Sequence, residues 1–396
     1  MRVLVAFDKF KEALAARAAC ETVADALHAA HPDWTLDICP LADGGDGFVA
    51  SLTEGLPAEI RRERVTGPIS EPVDAGWALV PARAIPRAAI ERLNGSGRSP
   101  RLASGASIAL IEMAACSGLA LVPASRRNPL DGTSRGVGEL LARAARSGAD
   151  AILLGVGGSA TNDLGLGALA ALGWRALDAA NRDILPLIPS RFREIVRFVP
   201  PPAGEGAPPH PPPIWIACDV DNPLCGPRGA TFTYGPQKGL APADLAPLDA
   251  QMERLGHLLA EAAGASRDLL SRPGTGAAGG ISAGLMAACG ARLTDGFELV
   301  SEWLELERRV AAADLVITGE GRFDDTSLQG KGPGGLARLA LARGKRVVVL
   351  AGKIQLSCPP TGLEPLAITP EGMPLAEALP STTRLLAEAT RRCFAK

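Results

Sequence analysis

RVLVAFD, residues 2–8, is a short β-branched and aromatic run that ends on an acid. That composition reads as a buried strand rather than a signal segment. Helical composition and spacing follow over 13–30, and 35–39 supplies a second strand candidate. Strand, helix and strand in succession predict a βαβ unit, and so a parallel sheet. The pattern returns near the other end: DLVIT (314–318) as a strand, 334–343 as a helix, RVVVLA (346–351) as a strand and 374–392 as a closing helix. Between them the rhythm changes. Residues 108–117 read as helical, 136–147 as a helix, AILLGV (151–156) and IWIAC (214–218) as buried strands. The stretch 84–104 and the proline-rich 200–213 read as irregular excursions, because proline is excluded from helix and sheet interiors. No repeat of fixed period is present.

A chain of 396 residues suggests two or three domains at ~150 residues each. Apolar content of 47% and a net charge of −2 describe an ordinary globular protein with no basic field for nucleic acid. No apolar run approaches the ~20 residues a bilayer span needs. MRVLVAFDKFKEAL is charged by residue 8 and carries no export signal, so the expected location is the cytoplasm. The eight cysteines form no C-x-x-C pair, and most lie in apolar stretches, as buried reduced thiols would. The four histidines, at 28, 31, 210 and 257, avoid every glycine-rich motif. That argues against a zinc site or a Ser-His-Asp triad and leaves acid–base work to Asp, Glu or Lys.

Ligands of open α/β sheets bind outside the carboxyl ends of the strands. Asp8, Lys9 and Lys11 follow the first strand, and Asp43 and Asp46 follow the second within PLADGGDG. GVGGSATND (155–163) follows AILL, Asp219 and Asp221 follow IWIAC, and Glu320, Arg322 and Asp324 follow DLVIT. Glycines after a strand let backbone N–H groups converge on an anion, with Ser159 and Thr161 as further donors. GTGAAGG (274–280) reads either as a second such loop or as close helix packing, and Gln237 and Lys238 sit on a glycine-flanked turn. GVGGSA also satisfies G-x-G-x-x-A, with Asp178 spaced as a ribose-binding acid, so a dinucleotide site is a second reading. The scattered acids suit Mg²⁺ carried with phosphates, whereas 43–47 lacks the calcium-loop frame. Acids, lysines and anion cradles together point to phosphoryl transfer, without a P-loop or protein-kinase signature.

The ordered strings FDKFKEAL, PLADGGDG, IEMAACSGL, RNPLDGTSRGVGEL, GVGGSATND, DVDNPLCGPRGATFTYGPQKG, GAAGGISAGL, ITGEGRFD and QGKGPGG resemble the bacterial glycerate kinase family. The likeness runs from about residue 3 to about residue 355. It implies ATP and Mg²⁺, D-glycerate as substrate, and phosphorylation of the 2-hydroxyl to 2-phosphoglycerate. It also implies two α/β domains: a flavodoxin-like parallel-sheet domain built from 1–83 and 295–396, and a second α/β domain, 84–294, inserted between them. The sequence departs from the family's usual pattern at Lys9 and Glu12 in the first motif, at Asp46-Gly47-Phe48, and at Leu164-Gly165 after the TND string.

From the resemblance and the strand-end rule together, Asp43 is the first candidate for the base and Asp163 the second, with Lys11 beside the transferring group. Asp8, Asp46, Arg322, Glu320 and Asp324 are expected to contact substrate. Gly157, Gly158, Ser159, Thr161, Asn162, Gly279, Gly280 and Lys238 are expected on ATP phosphates, and Asp219 and Asp221 on Mg²⁺. The expected partners are D-glycerate and ATP, with room for a homodimer. An NAD-dependent dehydrogenase and a non-catalytic two-domain solute-binding protein are the competing readings.

Overall fold

The computed structural model describes residues 1–42, 44–95, 102–202, 210–330 and 332–395. Asp43 therefore lies outside the described residues, as do 203–209 of the proline-rich loop. The strands in chain order are β1 (Arg2–Phe7), β2 (Thr35–Ile38), β3 (Glu59–Thr66), β4 (Pro72–Pro81), β5 (Ser107–Glu112), β6 (Ala151–Gly155), β7 (Arg175–Leu177) and β8 (Arg197–Val199). They continue with β9 (Ile214–Ala217), β10 (Arg292–Thr294), β11 (Leu315–Gly319), β12 (Arg322–Asp324), β13 (Arg346–Ala351), β14 (Lys353–Gln355) and β15 (Leu363–Ala367).

One sheet is five-stranded and parallel, in the order β15-β13-β11-β1-β2. Counted along the chain that is 2-1-3-4-5, the flavodoxin-like order, which reverses direction between β1 and β11. Its strands are apolar on both faces because helices cover both. Val3, Val5 and Phe7 pack on Val23 and Leu27 of the helix Ala16–Ala30 and on Leu386 of Leu375–Cys393. Leu4 and Ala6 face Leu336 and Val310 on the other side.

The second sheet runs β10-β9-β6-β5-β4-β3, parallel from β10 to β5 and antiparallel from there to the edge. Ile152 and Leu154 face Val137, Leu140 and Leu255, while Leu153 and Leu110 face Phe48, Leu52 and Trp303. The last three residues come from the two segments that connect the sheets. The Trp303 indole N–H donates to the Leu52 carbonyl at 2.8 Å and ties those segments together.

Three sequence expectations change here. Residues 59–81 were placed with the first domain, yet β3 and β4 hydrogen-bond onto β5 in the second sheet. On sheet membership the first crossing falls between Ile38 and Glu59, not at 83/84. EIRRERVT is a charged edge strand with one buried residue, so it offers no apolar run to read. Residues 108–117, read as helical, form β5 and the single turn Ala114–Ser117. Ile108–Ile111 are buried on both faces between β4 and β6, and a short continuous apolar run has no period that separates strand from helix. Within 84–104, expected to be irregular, Arg87–Asn94 is a helix, and 96–101 lie outside the described residues.

All eight cysteines are free. Burial pushes the thiols of Cys20, Cys39 and Cys116 up to about 12, as expected of inert core residues. Among the described residues no helix is long and apolar enough to cross a membrane.

Candidate active site

The carboxyl ends of both sheets empty into one cavity of about 280 Å³. Lys11 reaches it from beyond β1, Asp46 from beyond β2, Gly157, Gly158 and Ser159 from beyond β6, and Asp219 from beyond β9. Lys238 and Tyr234 close the far side.

Two glycine-rich loops meet there backbone to backbone. The Gly157 N–H donates to the Gly44 carbonyl at 3.0 Å. A Cβ at Gly157 would lie 2.7 Å from Gly45 Cα, and one at Gly155 would lie 2.5 Å from the Gly44 oxygen. Only glycines allow that approach, which sets the Asp46 carboxylate against Gly158 in the cavity. The loop that carries Asp46 is held from two sides. Lys9 Nζ donates to the Asp46 carbonyl at 3.3 Å, and Glu112 at the end of β5 accepts from the Gly47 and Val49 N–H groups at 3.4 and 2.9 Å. Burial pushes the Glu112 carboxyl above its usual range, and those two N–H bonds oppose the shift.

Lys238 is buried, and its Nζ donates to Ser159 Oγ at 2.9 Å and to the Thr161 carbonyl at 2.6 Å. Burial brings the ammonium down to about 7, with the charge of Asp163 acting the other way. An amine poised between its charged and neutral forms thus sits behind the Gly157–Ser159 backbone, and an anion in the cavity would draw it to the charged form. Lys238, on its glycine-flanked turn, and the GVGGS loop thus line the same cavity.

Other candidates do not converge. Asp163, second choice for the base, is fully buried and faces protein. Its Oδ2 accepts from Ser134 N and Oγ and from Gly167 N at 2.8, 2.7 and 3.2 Å, and its Oδ1 from Gly165 N at 3.2 Å. Burial raises its pKa against those donors. A carboxylate with four internal donors and no solvent path staples the loop; it does not accept a substrate proton. Thr161 and Asn162 are also fully buried, with Asn162 Nδ2 donating to Thr231 Oγ1 at 2.9 Å. Gly279, at φ +72°, would bring a Cβ within 2.1 Å of the Thr161 carbonyl. Gly279 and Gly280 are therefore packing glycines, and Ala277 and Ala278 face the cavity in their place. Asp178 accepts from the Ala180 and Arg182 N–H groups at the β7–β8 ribbon, so GVGGSA has no ribose acid there.

The magnesium pair is likewise corrected. Asp219 Oδ1 accepts from the Gly296 and Phe297 N–H groups at 2.8 and 2.9 Å, at the start of the helix Gly296–Trp303. Asp221 points outward and pairs with Arg228 at 2.9 Å. Among the described residues no group of three or more His, Cys, Asp or Glu could hold a metal ion. Asp221 thus lies away from the cavity, while Asp219 lines it with one oxygen held by the helix start.

Asp8, Glu320 and Arg322 line a second, larger cavity of about 960 Å³, which meets the first at Lys11 and Glu12. Asp324 lines neither cavity. It pairs with Arg322 at 3.0 Å, and hydrogen bonds led by the Thr326 hydroxyl hold its carboxyl below the usual range. Sequence reasoning missed Glu112, Tyr234 and Lys353. Glu112 had a signal: with 107–112 read as a strand, it stands at a carboxyl end like the other candidates.

The glycerate kinase family model matches residues 3–396 of the chain. A glycerate kinase of Bacillus subtilis is 37% identical over 96% of this chain and 93% of its own length. The glycerate 2-kinase of Escherichia coli is 36% identical over 89% of this chain and 86% of its own. A glycerate kinase 2 crystal structure from Salmonella typhimurium LT2 superposes with a TM-score of 0.74 at 36% identity, covering 100% of this chain and 97% of that one.

Proposed function

The chain belongs to the glycerate kinase family, and from that premise we propose that it transfers the γ-phosphoryl of ATP to D-glycerate at the 2-hydroxyl. The observation that carries the reading is the buried Lys238 ammonium set behind the Gly157–Ser159 backbone in the cavity shared by both sheets. Phosphoryl transfer needs positioning and charge neutralisation more than covalent chemistry. Lys11, Lys238, Ser159 and the loop N–H groups supply that to the equatorial oxygens. The DGGDG loop supplies the carboxylates. Asp43 keeps the base role, which typically contributes ~10²–10⁴-fold, and Asp46 lies beside the acceptor. The name of the Escherichia coli relative supports the 2-position.

ATP implies a divalent cation on its phosphates. Of the two acids expected on Mg²⁺, Asp219 lines the cavity and Asp221 pairs with Arg228 outside it, and Mg²⁺ would arrive with the nucleotide. The dehydrogenase reading loses its ribose acid at Asp178. Action in the cytoplasm belongs to the same reading, as does the homodimer, which sedimentation would measure.

The test is incubation with ATP, Mg²⁺ and D-glycerate, followed by separation of 2- from 3-phosphoglycerate. Accumulation of 2-phosphoglycerate and ADP is expected; 3-phosphoglycerate would overturn the position, and no phosphoglycerate would overturn the activity. Asp43→Asn should lower kcat at least ~10-fold; unchanged turnover would remove Asp43 from the base role.

A further inference from the structure

The larger cavity runs along the carboxyl edge of the five-stranded sheet and gathers residues in strand order. Lys11 stands beyond β1, Arg322 beyond β11, Lys353 beyond β13 and Met373 beyond β15. The helix Leu375–Cys393 walls the far side with Leu375 and Leu379. We propose that this cavity is the nucleotide site, with the triphosphate directed toward Lys11 and the base resting on Met373, Leu375 and Leu379. The smaller cavity then holds the acid substrate and receives only the transferring phosphoryl. This inference rests on the kinase reading.

Size makes the first division. Pockets for ligands of nucleotide scale measure roughly 300–1,000 Å³. The cavity of about 960 Å³ is of that class, while that of about 280 Å³ falls below it and suits a three-carbon acid with one phosphoryl group. Topology makes the second. The sheet reverses direction between β1 and β11, and an open α/β sheet presents its ligand crevice at that point. Lys11 and Arg322 flank it.

Chemistry orients the ligand. Four cations, Lys9, Lys11, Arg322 and Lys353, line the cavity from β1 to β13, with Lys11 where it meets the smaller cavity, and the apolar wall lies beyond β15. Asp8 and Glu320 stand on the same cationic edge, so the phosphates are gripped by individual long side chains rather than by a positive bowl. Leu375 leaves 71% of its surface exposed on the apolar wall, beside Met373 and Leu379. A purine laid there would cover it. Glu371 at the same end can accept from a ribose hydroxyl. Because Lys11 and Glu12 line both cavities, a phosphate chain that ends at Lys11 delivers its terminal group into the smaller one. GVGGS thus becomes the acceptor-side cradle for that group, in place of a general ATP-phosphate loop.

The experiment is anisotropy titration with the fluorescent nucleotide mant-ADP, alongside steady-state kinetics in ATP and D-glycerate. Leu375→Glu and Leu379→Glu should weaken mant-ADP and raise the KM for ATP by at least roughly tenfold, with the glycerate KM within about twofold. Ser159→Ala should do the opposite, raising the glycerate KM while mant-ADP binds as before. Leu375 is exposed, so its variant keeps the fold if Leu379→Glu does not. Unchanged mant-ADP affinity in the folded leucine variants, or its loss in Ser159→Ala, would overturn the assignment. If the wild type binds mant-ADP in a Leu375-dependent way yet makes no phosphoglycerate, the nucleotide site stands and the glycerate reading fails. If it makes phosphoglycerate with both leucine variants at wild-type ATP KM, the converse holds.

Discussion

Asp163→Asn separates a structural carboxylate from a catalytic one. The wild-type carboxylate accepts four internal hydrogen bonds, three on Oδ2 and one on Oδ1. Asparagine offers one oxygen. Turned to keep the three bonds from Ser134 and Gly167, it sets its NH₂ against the Gly165 N–H. A hydrogen bond to a charged acceptor is worth ~1.5–3 kcal/mol and a neutral one ~0.5–1.5 kcal/mol. Losing one bond and downgrading three costs about 4.5–7.5 kcal/mol on that scale. Relief of the buried charge, which already raises this carboxyl's pKa, offsets part of it. A net loss of ~2–4 kcal/mol follows, and at ~2–4 °C per kcal/mol the melting temperature falls by roughly 5–15 °C. Scanning calorimetry reads that shift, and steady-state kinetics below the variant's transition read turnover. The expected result is a large thermal loss with kcat within about threefold of wild type. A kcat drop of ~10² or more at an unchanged melting temperature would refute the staple and return Asp163 to the base role.

Lys238 carries a pH signature. Its folded pKa of about 7 lies below the unfolded value of 10.5, so between them the unfolded chain holds a proton the folded one has released. Stability from this group therefore rises with pH across that window. From pH 7 to 9 urea titration should show a gain of ~2 kcal/mol that Lys238→Met lacks; parallel profiles would exclude the depressed ammonium. Glu112→Gln keeps a single acceptor for the Gly47 and Val49 N–H groups, and should lower kcat/KM roughly tenfold with little thermal loss, whereas Glu112→Ala should lose more of both. Equal kinetics in all three proteins would free the DGGDG loop from Glu112. Gly279→Ala places a Cβ against the Thr161 carbonyl at a positive φ, and should destabilise by ~2–4 kcal/mol in urea titration; a neutral result would show that the loop yields. Asp221→Asn should leave the Mg²⁺ dependence of turnover within about twofold, since that side chain pairs with Arg228 at the surface; a shifted Mg²⁺ midpoint would restore it as a ligand.

The parallel core was legible because β1, β11 and β13 are apolar on both faces, and only a strand with helices on either side reads that way. The strand-end rule also singled out Lys11, Asp46, Gly157, Gly158 and Ser159, and the structure adds Lys238 from its turn to their cavity. The charged edge strand β3 was not legible, and β5 was mistaken for a helix. An edge strand satisfies its backbone through a partner whose identity is non-local, and a four-residue apolar run carries no period.

What the sequence determined by itself is that acids, lysines and glycines stand at the carboxyl ends of parallel strands, and that these strings belong to one family. Those facts are local, set by residue order. Which way each carboxylate turns was decided only by tertiary structure. Asp163, Asp219 and Asp46 occupy similar strand-end loops, yet Asp163 is fully taken up by Ser134, Gly165 and Gly167, Asp219 lines the cavity with Oδ1 held by the helix Gly296–Trp303, and Asp46 faces the cavity. A carboxylate goes to whichever N–H donors the fold brings within reach, and those donors lie 2 to 78 positions away in the chain.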